Sequence, residues 1–153
     1  AVTGWRVGTI IAPPQLTHAF RQVHDFVSIG AAAPLQEAGA VAYRLPRTYY
    51  AQLAADYQAR RDRFCKALWD IGFDFDPPHG AYYIMAGIGA FAATDDIEFA
   101  RYLVRDIGVA TVPGSSFFQD KALGRPFVRF CFCKRDETLD EAAGRLQALR
   151  VMV

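Results

Sequence analysis

Long hydrophobic runs and an excess of charge of one sign are both missing from this sequence. Although 52% of its 153 residues are hydrophobic, no apolar run approaches the length of a membrane span, and no signal peptide opens the chain. Lysine and arginine number 17 against 16 aspartates and glutamates, a net charge of +1. No electrostatic argument therefore favours nucleic acid or an anionic membrane. We expect neither nucleic acid nor a membrane as a partner.

Cysteine is also scarce, with Cys65, Cys131 and Cys133 as the three examples. An odd number of cysteines in apolar contexts is explained better by buried, reduced thiols of an intracellular protein than by a disulfide framework. Cys131 and Cys133 have no second pair at zinc-finger spacing, and His18 and His24, six residues apart, point to different sides of a helix. We expect no metal site.

The short motifs of several enzyme classes are absent. The chain contains no G-x-x-x-x-G-K phosphate loop, and none of the patterns G-x-G-x-x-G, G-x-S-x-G or H-E-x-x-H. No acid–base pair can be identified from spacing. The residues alone therefore identify no catalytic group.

Periodic segments are present along the whole chain. Thr3–Ala12 is typical of a turn leading into a buried strand, and helical spacing predicts helices between Pro14 and Gly30, between Pro34 and Pro46, and over 48–71. After Gly72 the pattern changes to short strands, near 81–86 and 109–112, alternating with helices. The last helix is predicted by a capping box of Thr138 and Glu141. These patterns predict an α/β protein with an α+β unit over 72–153.

Arg129 is a cation within an apolar strand predicted from the run Arg125–Cys133. Alternation assigns Phe127, Arg129 and Cys131 to one face and Val128 and Phe130 to the other. A guanidinium cannot lose its proton, so a buried one needs an anionic or hydrogen-bonding partner. That partner is either a structural acid, which this stretch by itself favours, or the carboxylate of a ligand.

Five ordered blocks closely resemble the C-terminal half of class I/II aminotransferases, which are pyridoxal-phosphate enzymes of fold type I. They are Thr3-Gly4-Trp5-Arg6-Val7-Gly8, Ala33-Pro34-Leu35-Gln36-Glu37-Ala38, Gly80-Ala81-Tyr82-Tyr83, Pro113-Gly114-Ser115-Ser116-Phe117 and Val128-Arg129-Phe130-Cys131-Phe132. The resemblance covers almost the whole chain. It is greatest to the branch that acts on aspartate, kynurenine, methionine or glutamine.

The resemblance implies roles for a few residues. Arg6 matches an arginine that holds the cofactor phosphate, and without the match it would be interpreted as a surface charge. Arg129 matches the arginine that binds the substrate α-carboxylate. Gly114 matches a glycine where the backbone passes close to that site, whereas Tyr82 and Phe118 are interpreted as packing or pocket wall.

The Schiff-base lysine of the family belongs upstream of Ala1, and Lys66, Lys121 and Lys134 do not match it. The resemblance therefore implies that the chain lacks a catalytic residue and is inactive alone. It implies a C-terminal fragment made of a large-domain remnant (1–45), a long connecting helix (46–71) and a small domain (72–153). The parent would be a cytoplasmic homodimer that moves an amino group between an L-amino acid and a 2-oxo acid.

Two alternatives remain at this point. The chain could be a non-catalytic module that binds small carboxylates or a partner protein through an apolar face. It could instead be one half of a split aminotransferase whose other chain brings the lysine. The segment from Ser28 to Pro34 matches one that approaches the dimer partner in the family, and as a plain helix–helix loop it would look the same.

Overall fold

The structure is a computed structural model that describes the backbone of residues 2–152 and the side chains of residues 2–150. The chain divides into two compact units, residues 1–51 and residues 52–153. The outer ends of the first and third predicted domains, Ala1 and Val153, lie outside the described residues.

The described part of the first unit is mostly helical. A 3-10 turn over Thr3–Trp5 precedes helix α1, Pro14–Val27, and helix α2, Ala33–Tyr43. Both helices carry a proline in the first turn, where the missing N–H has no intrahelical partner to lose. Helix α1 ends a little before the predicted stop at Gly30, and Ile29 adopts a left-handed φ of 63°. Both helix predictions are confirmed.

The prediction of a buried strand within Thr3–Ala12 is wrong. No regular element follows the 3-10 turn until α1, and Ile10 and Ile11 are 77% and 95% exposed. A strand requires a neighbour that pairs with its N–H and C=O groups, and residues 2–51 contain none. Ile10 and Ile11 therefore have little covering surface within their own unit.

Helix α3, Arg47–Ile71, is the longest element and begins in the first unit and ends in the second. It matches the helix predicted over 48–71. Gly72 ends it with a φ of 117°, and its N–H donates to the carbonyl of Leu68. Only glycine adopts that φ without strain, which explains the sharp stop.

The second unit contains a three-stranded antiparallel sheet in the order β1-β3-β2. Its strands are β1 (Tyr83–Gly87), β2 (Val112–Pro113) and β3 (Phe127–Cys131). Helix α4 (Asp96–Tyr102) continues into a π-helical turn (Leu103–Ile107), and β2 leads into a 3-10 turn (Gly114–Phe117). Helix α5 (Lys121–Gly124) precedes β3, and helix α6 (Asp136–Leu146) follows it and runs into a 3-10 segment (Gln147–Met152). The prediction of a small sheet with helices packed on it is confirmed.

One face of this sheet forms the core. Val128 and Phe130 are buried, and the Phe130 ring meets Phe64 of α3 edge-on, with centroids 5.9 Å apart. The other face of β3, which carries Arg129, is only half-buried. The predicted alternation is thus correct: α3 packs on the face of Val128 and Phe130, and Arg129 lies on the less buried face.

The predicted capping box is also wrong. Helix α6 begins at Asp136, so Thr138 lies inside the helix, and Arg135 at the N-cap makes no side-chain capping bond. Asp136 and Glu137 occupy the first turn, where negative charge interacts favourably with the helix dipole. The helix therefore starts earlier than the Thr-x-x-Glu pattern indicated.

Candidate functional site

Arg129 lies on the central strand of the sheet, opposite Met85 of β1 and Val112 of β2. Period-two alternation directs its side chain to the half-buried face, away from the core. The backbone of this residue is paired on both sides, so the position of its side chain is set by a rigid element.

Two aromatic rings flank the guanidinium of Arg129. Its Cζ lies 3.9 Å from the ring centroid of Tyr83 and 3.9 Å from that of Phe117. Stacking on a ring face is a favourable arrangement for the delocalised guanidinium. With rings this close, the N–H groups at its edge remain as the hydrogen-bonding surface.

No acid neutralises Arg129 within the described side chains. None of the ion pairs or hydrogen bonds among residues 2–150 includes this guanidinium. The nearby phenol of Tyr83 is not an anion either, because a hydrogen bond with Tyr82 and partial desolvation raise its pKa above the ordinary value of 10.0. The charge of Arg129 acts on that pKa in the opposite direction and is a smaller effect. The planar set of N–H donors is therefore available to an added carboxylate.

The turn Gly114–Phe117 brings the Phe117 ring to this site. A Cβ on Gly114 would lie 2.4 Å from the Gly124 carbonyl oxygen and 2.6 Å from that of Phe127, so only glycine allows this approach. The N–H of Ser115 donates to Oδ2 of buried Asp96 at 2.7 Å, and Lys121 Nζ donates to the Ser115 carbonyl at 3.0 Å. Gly114 and Arg129, two of the predicted site residues, therefore lie in the same unit, one in the turn that follows β2 and the other on the neighbouring strand β3.

Arg6, the third predicted site residue, belongs to the other unit. It is exposed, and its φ of 56° and ψ of 32° are left-handed, with its N–H donating to the Thr3 carbonyl at 3.3 Å. No ion pair or side-chain hydrogen bond engages Arg6 among the described residues. An exposed guanidinium with no acidic partner is chemically suited to a phosphate dianion.

Each of the three lysines is either exposed to solvent or already bonded to another group. Lys66 pairs with Asp70 at 2.8 Å on the surface of α3, Lys121 is bonded to the Ser115 carbonyl, and Lys134 is exposed just after β3. The described residues also contain no group of His, Cys, Asp and Glu side chains that could hold a metal ion. In the same part of the chain, no helix combines the length and the apolar character that crossing a membrane requires.

Tyr83 and Phe117, which contact Arg129, and Asp96, which bonds the turn that carries Phe117, were not singled out by the sequence. Tyr82, interpreted from the sequence as packing, is half-buried and lies against the core, whereas its neighbour Tyr83 contacts Arg129. Alternation would have assigned Tyr83 to the correct face only once the register of Tyr83 opposite Cys131 was known. That register is a tertiary property.

Comparison with known proteins identifies the family. The family model described as "Aminotransferase class I and II" matches residues 1–146. The chain is 36% identical to the probable N-succinyldiaminopimelate aminotransferase of Mycobacterium tuberculosis, over 96% of this chain and 39% of that protein. It is 34% identical to the kynurenine–oxoglutarate transaminase of Dictyostelium discoideum, over 98% of this chain and 39% of that protein.

Solved structures agree. The N-succinyldiaminopimelate aminotransferase of M. tuberculosis superposes with a TM-score of 0.86 at 37% identity, covering 96% of this chain and 38% of that one. A methionine aminotransferase from Escherichia coli gives a TM-score of 0.82 at 33% identity, covering 95% and 38%. The chain thus spans less than half the length of the relatives it matches, in their C-terminal part. With its sequence blocks, its sheet and these matches in agreement, the chain belongs to the class I and II aminotransferase family.

Proposed function

We propose that this chain provides the substrate-carboxylate site of an aminotransferase that moves an amino group between an L-amino acid and a 2-oxo acid. In this proposal Arg129 binds the α-carboxylate and Gly114 allows the close backbone approach beside it. The observation that carries the proposal is a guanidinium stacked between Tyr83 and Phe117 with no acidic partner among the described residues.

The competing interpretation of Arg129, a structural ion pair, has no support in the described side chains. A hydrogen bond to a charged group contributes about 1.5–3 kcal/mol, and a bidentate carboxylate makes a pair of them. The Tyr83 and Phe117 rings, each 3.9 Å from the Arg129 Cζ, hold the guanidinium in place, and its unpaired N–H donors keep the planar geometry that a bidentate carboxylate requires.

The cofactor of the proposed enzyme is pyridoxal 5'-phosphate, with Arg6 as a residue that would hold its phosphate group. When bound, it supplies an electron sink for the substrate carbon that carries the amino group. Arg6 suits the phosphate, but Lys66, Lys121 and Lys134 do not suit the role of the Schiff-base lysine. We propose that this lysine lies in polypeptide upstream of Ala1, so that the contribution of residues 2–150 is to bind and orient.

The remaining features of the complete enzyme are proposals of the same kind. We propose a homodimer in the cytoplasm, built with a large domain that includes residues 1–45, a connecting helix over 46–71 and a small domain over 72–153. Ser28 to Pro34 would lie near the partner subunit.

The test is binding of 2-oxoglutarate, a 2-oxo acid, to the 153-residue chain, followed by the NMR signal of the Arg129 Nε–H group. We expect this signal to shift on titration, and Arg129→Lys to weaken binding at least about tenfold because a point charge cannot reproduce the planar donor set. Arg105→Lys is the matched control, since Arg105 is an exposed arginine paired with Asp106 at 3.0 Å.

The two interpretations of Arg129 predict opposite results. For a ligand-binding arginine, Arg129→Lys changes affinity far more than it changes the melting temperature. A large fall in melting temperature with unchanged 2-oxoglutarate affinity would instead assign Arg129 a structural role and would contradict the proposal.

A further inference from the structure

Asp96 is a buried carboxylate whose role is not explained by the helix on which it lies. It is 1% exposed, although it is the first residue of α4. The capping of that helix is performed by the preceding residue, Asp95, whose Oδ1 accepts the N–H groups of Ile97 and Glu98 at 3.0 and 2.9 Å. A buried carboxylate is unfavourable unless it is well bonded, so Asp96 must serve something other than the cap.

The partner of Asp96 is the turn that carries Phe117. Its Oδ2 accepts the N–H of Ser115 at 2.7 Å, a short distance typical of charge-assisted bonds. Among the described side chains, this is the hydrogen bond that its carboxylate makes, and no cation pairs with it. Ser115 is the second residue of the turn Gly114–Phe117, so the bond fixes the backbone just before the ring that covers Arg129.

A continuous set of contacts therefore connects Asp96 to the guanidinium. Asp96 holds the Ser115 amide, the turn holds Phe117, and the Phe117 ring lies 3.9 Å from the Arg129 Cζ. Phe117 is 44% exposed, so little packing fixes its ring apart from the turn itself. An arginine side chain has many rotamers, and ordering it before the ligand arrives reduces the entropy cost of binding.

We propose that Asp96 is a positioning residue for carboxylate binding: it fixes the turn Gly114–Phe117 so that Phe117 and Tyr83 hold the Arg129 guanidinium in a single orientation. The inference rests on the proposed function of Arg129 and assigns that site a further residue. A misplacement of about 1 Å in a binding group can cost a hundredfold in function, so a residue that touches no ligand can still govern affinity.

The experiment measures the dissociation constant of 2-oxoglutarate for the 153-residue chain and its variants, at a temperature where all are folded. We expect Asp96→Ala to weaken binding about tenfold and to shift the Ser115 amide and Arg129 Nε–H signals before any ligand is added. Asp96→Asn keeps an acceptor oxygen for Ser115 and should weaken binding less. Asp95→Ala is the control: it destabilises the same helix but leaves the turn bonded, so its affinity should match the unchanged chain.

A second pair of variants tests the route of the effect. If Asp96 acts through Phe117, removing the ring in Phe117→Ala should abolish the influence of position 96, so the two substitutions are not additive. Should Asp96→Ala fail to fold, the effect of Asp96→Asn on 2-oxoglutarate affinity is measured both in the unchanged chain and in Phe117→Ala. A loss of affinity that needs Phe117 supports the proposal, and equal losses in both backgrounds, or none, overturn it.

The result also separates this inference from the proposed function. If the unchanged chain does not bind 2-oxoglutarate through Arg129, the proposed function fails and the role of Asp96 fails with it. If the unchanged chain binds and Asp96→Ala binds equally well, only the positioning role is overturned. An equal loss of 2-oxoglutarate affinity in Asp95→Ala and Asp96→Ala would show that Asp96 contributes only to the stability of the fold, and this outcome would also overturn the positioning role.

Discussion

Gly114 and Gly124 lie in mutual backbone contact beside the Arg129 strand. A Cβ added to Gly124 would lie 2.5 Å from both the carbonyl carbon and the carbonyl oxygen of Gly114, and the reverse contact is just as close. The obstructing atoms are backbone, so they cannot rotate away as the end of a side chain can. At this scale, the absence of two methyl groups determines whether the turn that carries Phe117 can approach β3.

Gly114→Ala should therefore destabilise the protein. We expect a loss of about 1–3 kcal/mol in the free energy of unfolding, the range for overpacking a tight site, measured by urea titration. Gly144→Ala is the control, because a Cβ at Gly144 of α6 meets nothing within 4 Å. That substitution should stabilise the helix by about 0.5–1 kcal/mol. Similar stability for the two variants would contradict the close backbone contact between Gly114 and Gly124.

Two cysteine thiols make stability depend on pH. Desolvation is the largest cause that raises the pKa of Cys65 and of Cys131 above the ordinary value of 9.0, and in Cys131 the charge of Cys133 adds to it. The folded state therefore keeps these protons after the unfolded chain has lost them. The resulting stability is fully present below pH 9.0 and is lost as pH rises from that value through the folded pKa.

We accordingly expect the free energy of unfolding to fall above about pH 9, in the direction that linkage requires. Urea titrations at a series of alkaline pH values would show it. Cys65→Ala removes one of the groups whose pKa is raised on folding, so its stability should depend less steeply on pH in the same range, even though its absolute stability is lower. An equally steep dependence in Cys65→Ala would contradict the role of the Cys65 thiol.

At the scale of elements, the helices could be predicted and the strands only in part. Helices α1, α2 and α3 are determined by local sequence features, namely apolar residues at helical spacing and Pro14, Pro34 and Gly72 at the helix ends. Strands depend on partners elsewhere in the chain. The apolar side chains of Ile10 and Ile11 are left exposed in their unit. Of the predicted 109–112 strand only Val112 joins the sheet, followed there by Pro113.

The site divides in the same way. Arg129 could be identified because a cation in an apolar strand is chemically unusual and because its block resembles a known family. The aromatic rings of Tyr83 and Phe117 could not be assigned to it, since one depends on the β1–β3 register and the other on the path of a 3-10 turn. Asp96 lies at the start of α4, and only its burial and its bond to Ser115 distinguish it from an ordinary first-turn acid.

At the scale of the whole molecule, the apolar residues are unevenly distributed. The buried hydrophobic cluster runs from Phe64 to Leu149, entirely within residues 52–153. The described helices of the first unit contain no buried residue, and α1 exposes Phe26 and Val27 at 92% and 76%. Together with Ile10 and Ile11, these large apolar side chains of the first unit are exposed to water, which favours a covering surface. The stability of the second unit should therefore not depend on the first.

This distribution predicts different behaviour for the two units. We expect residues 52–153 alone to unfold cooperatively and to remain monomeric, because they contain the complete core cluster. The 153-residue chain should self-associate as its concentration increases, since burying apolar surface is worth about 25 cal/mol per Å². Light scattering of both chains, with binding of a hydrophobic dye, provides the measurement.

Two substitutions test which unit is responsible for the association. Phe26→Ser, which alters only an exposed side chain of α1, should weaken the association, whereas Ile97→Ser, at a 42% exposed residue of the second unit, should not. A 153-residue chain that stays monomeric and binds no dye would contradict the prediction, because the apolar residues of the first unit would then require no covering surface.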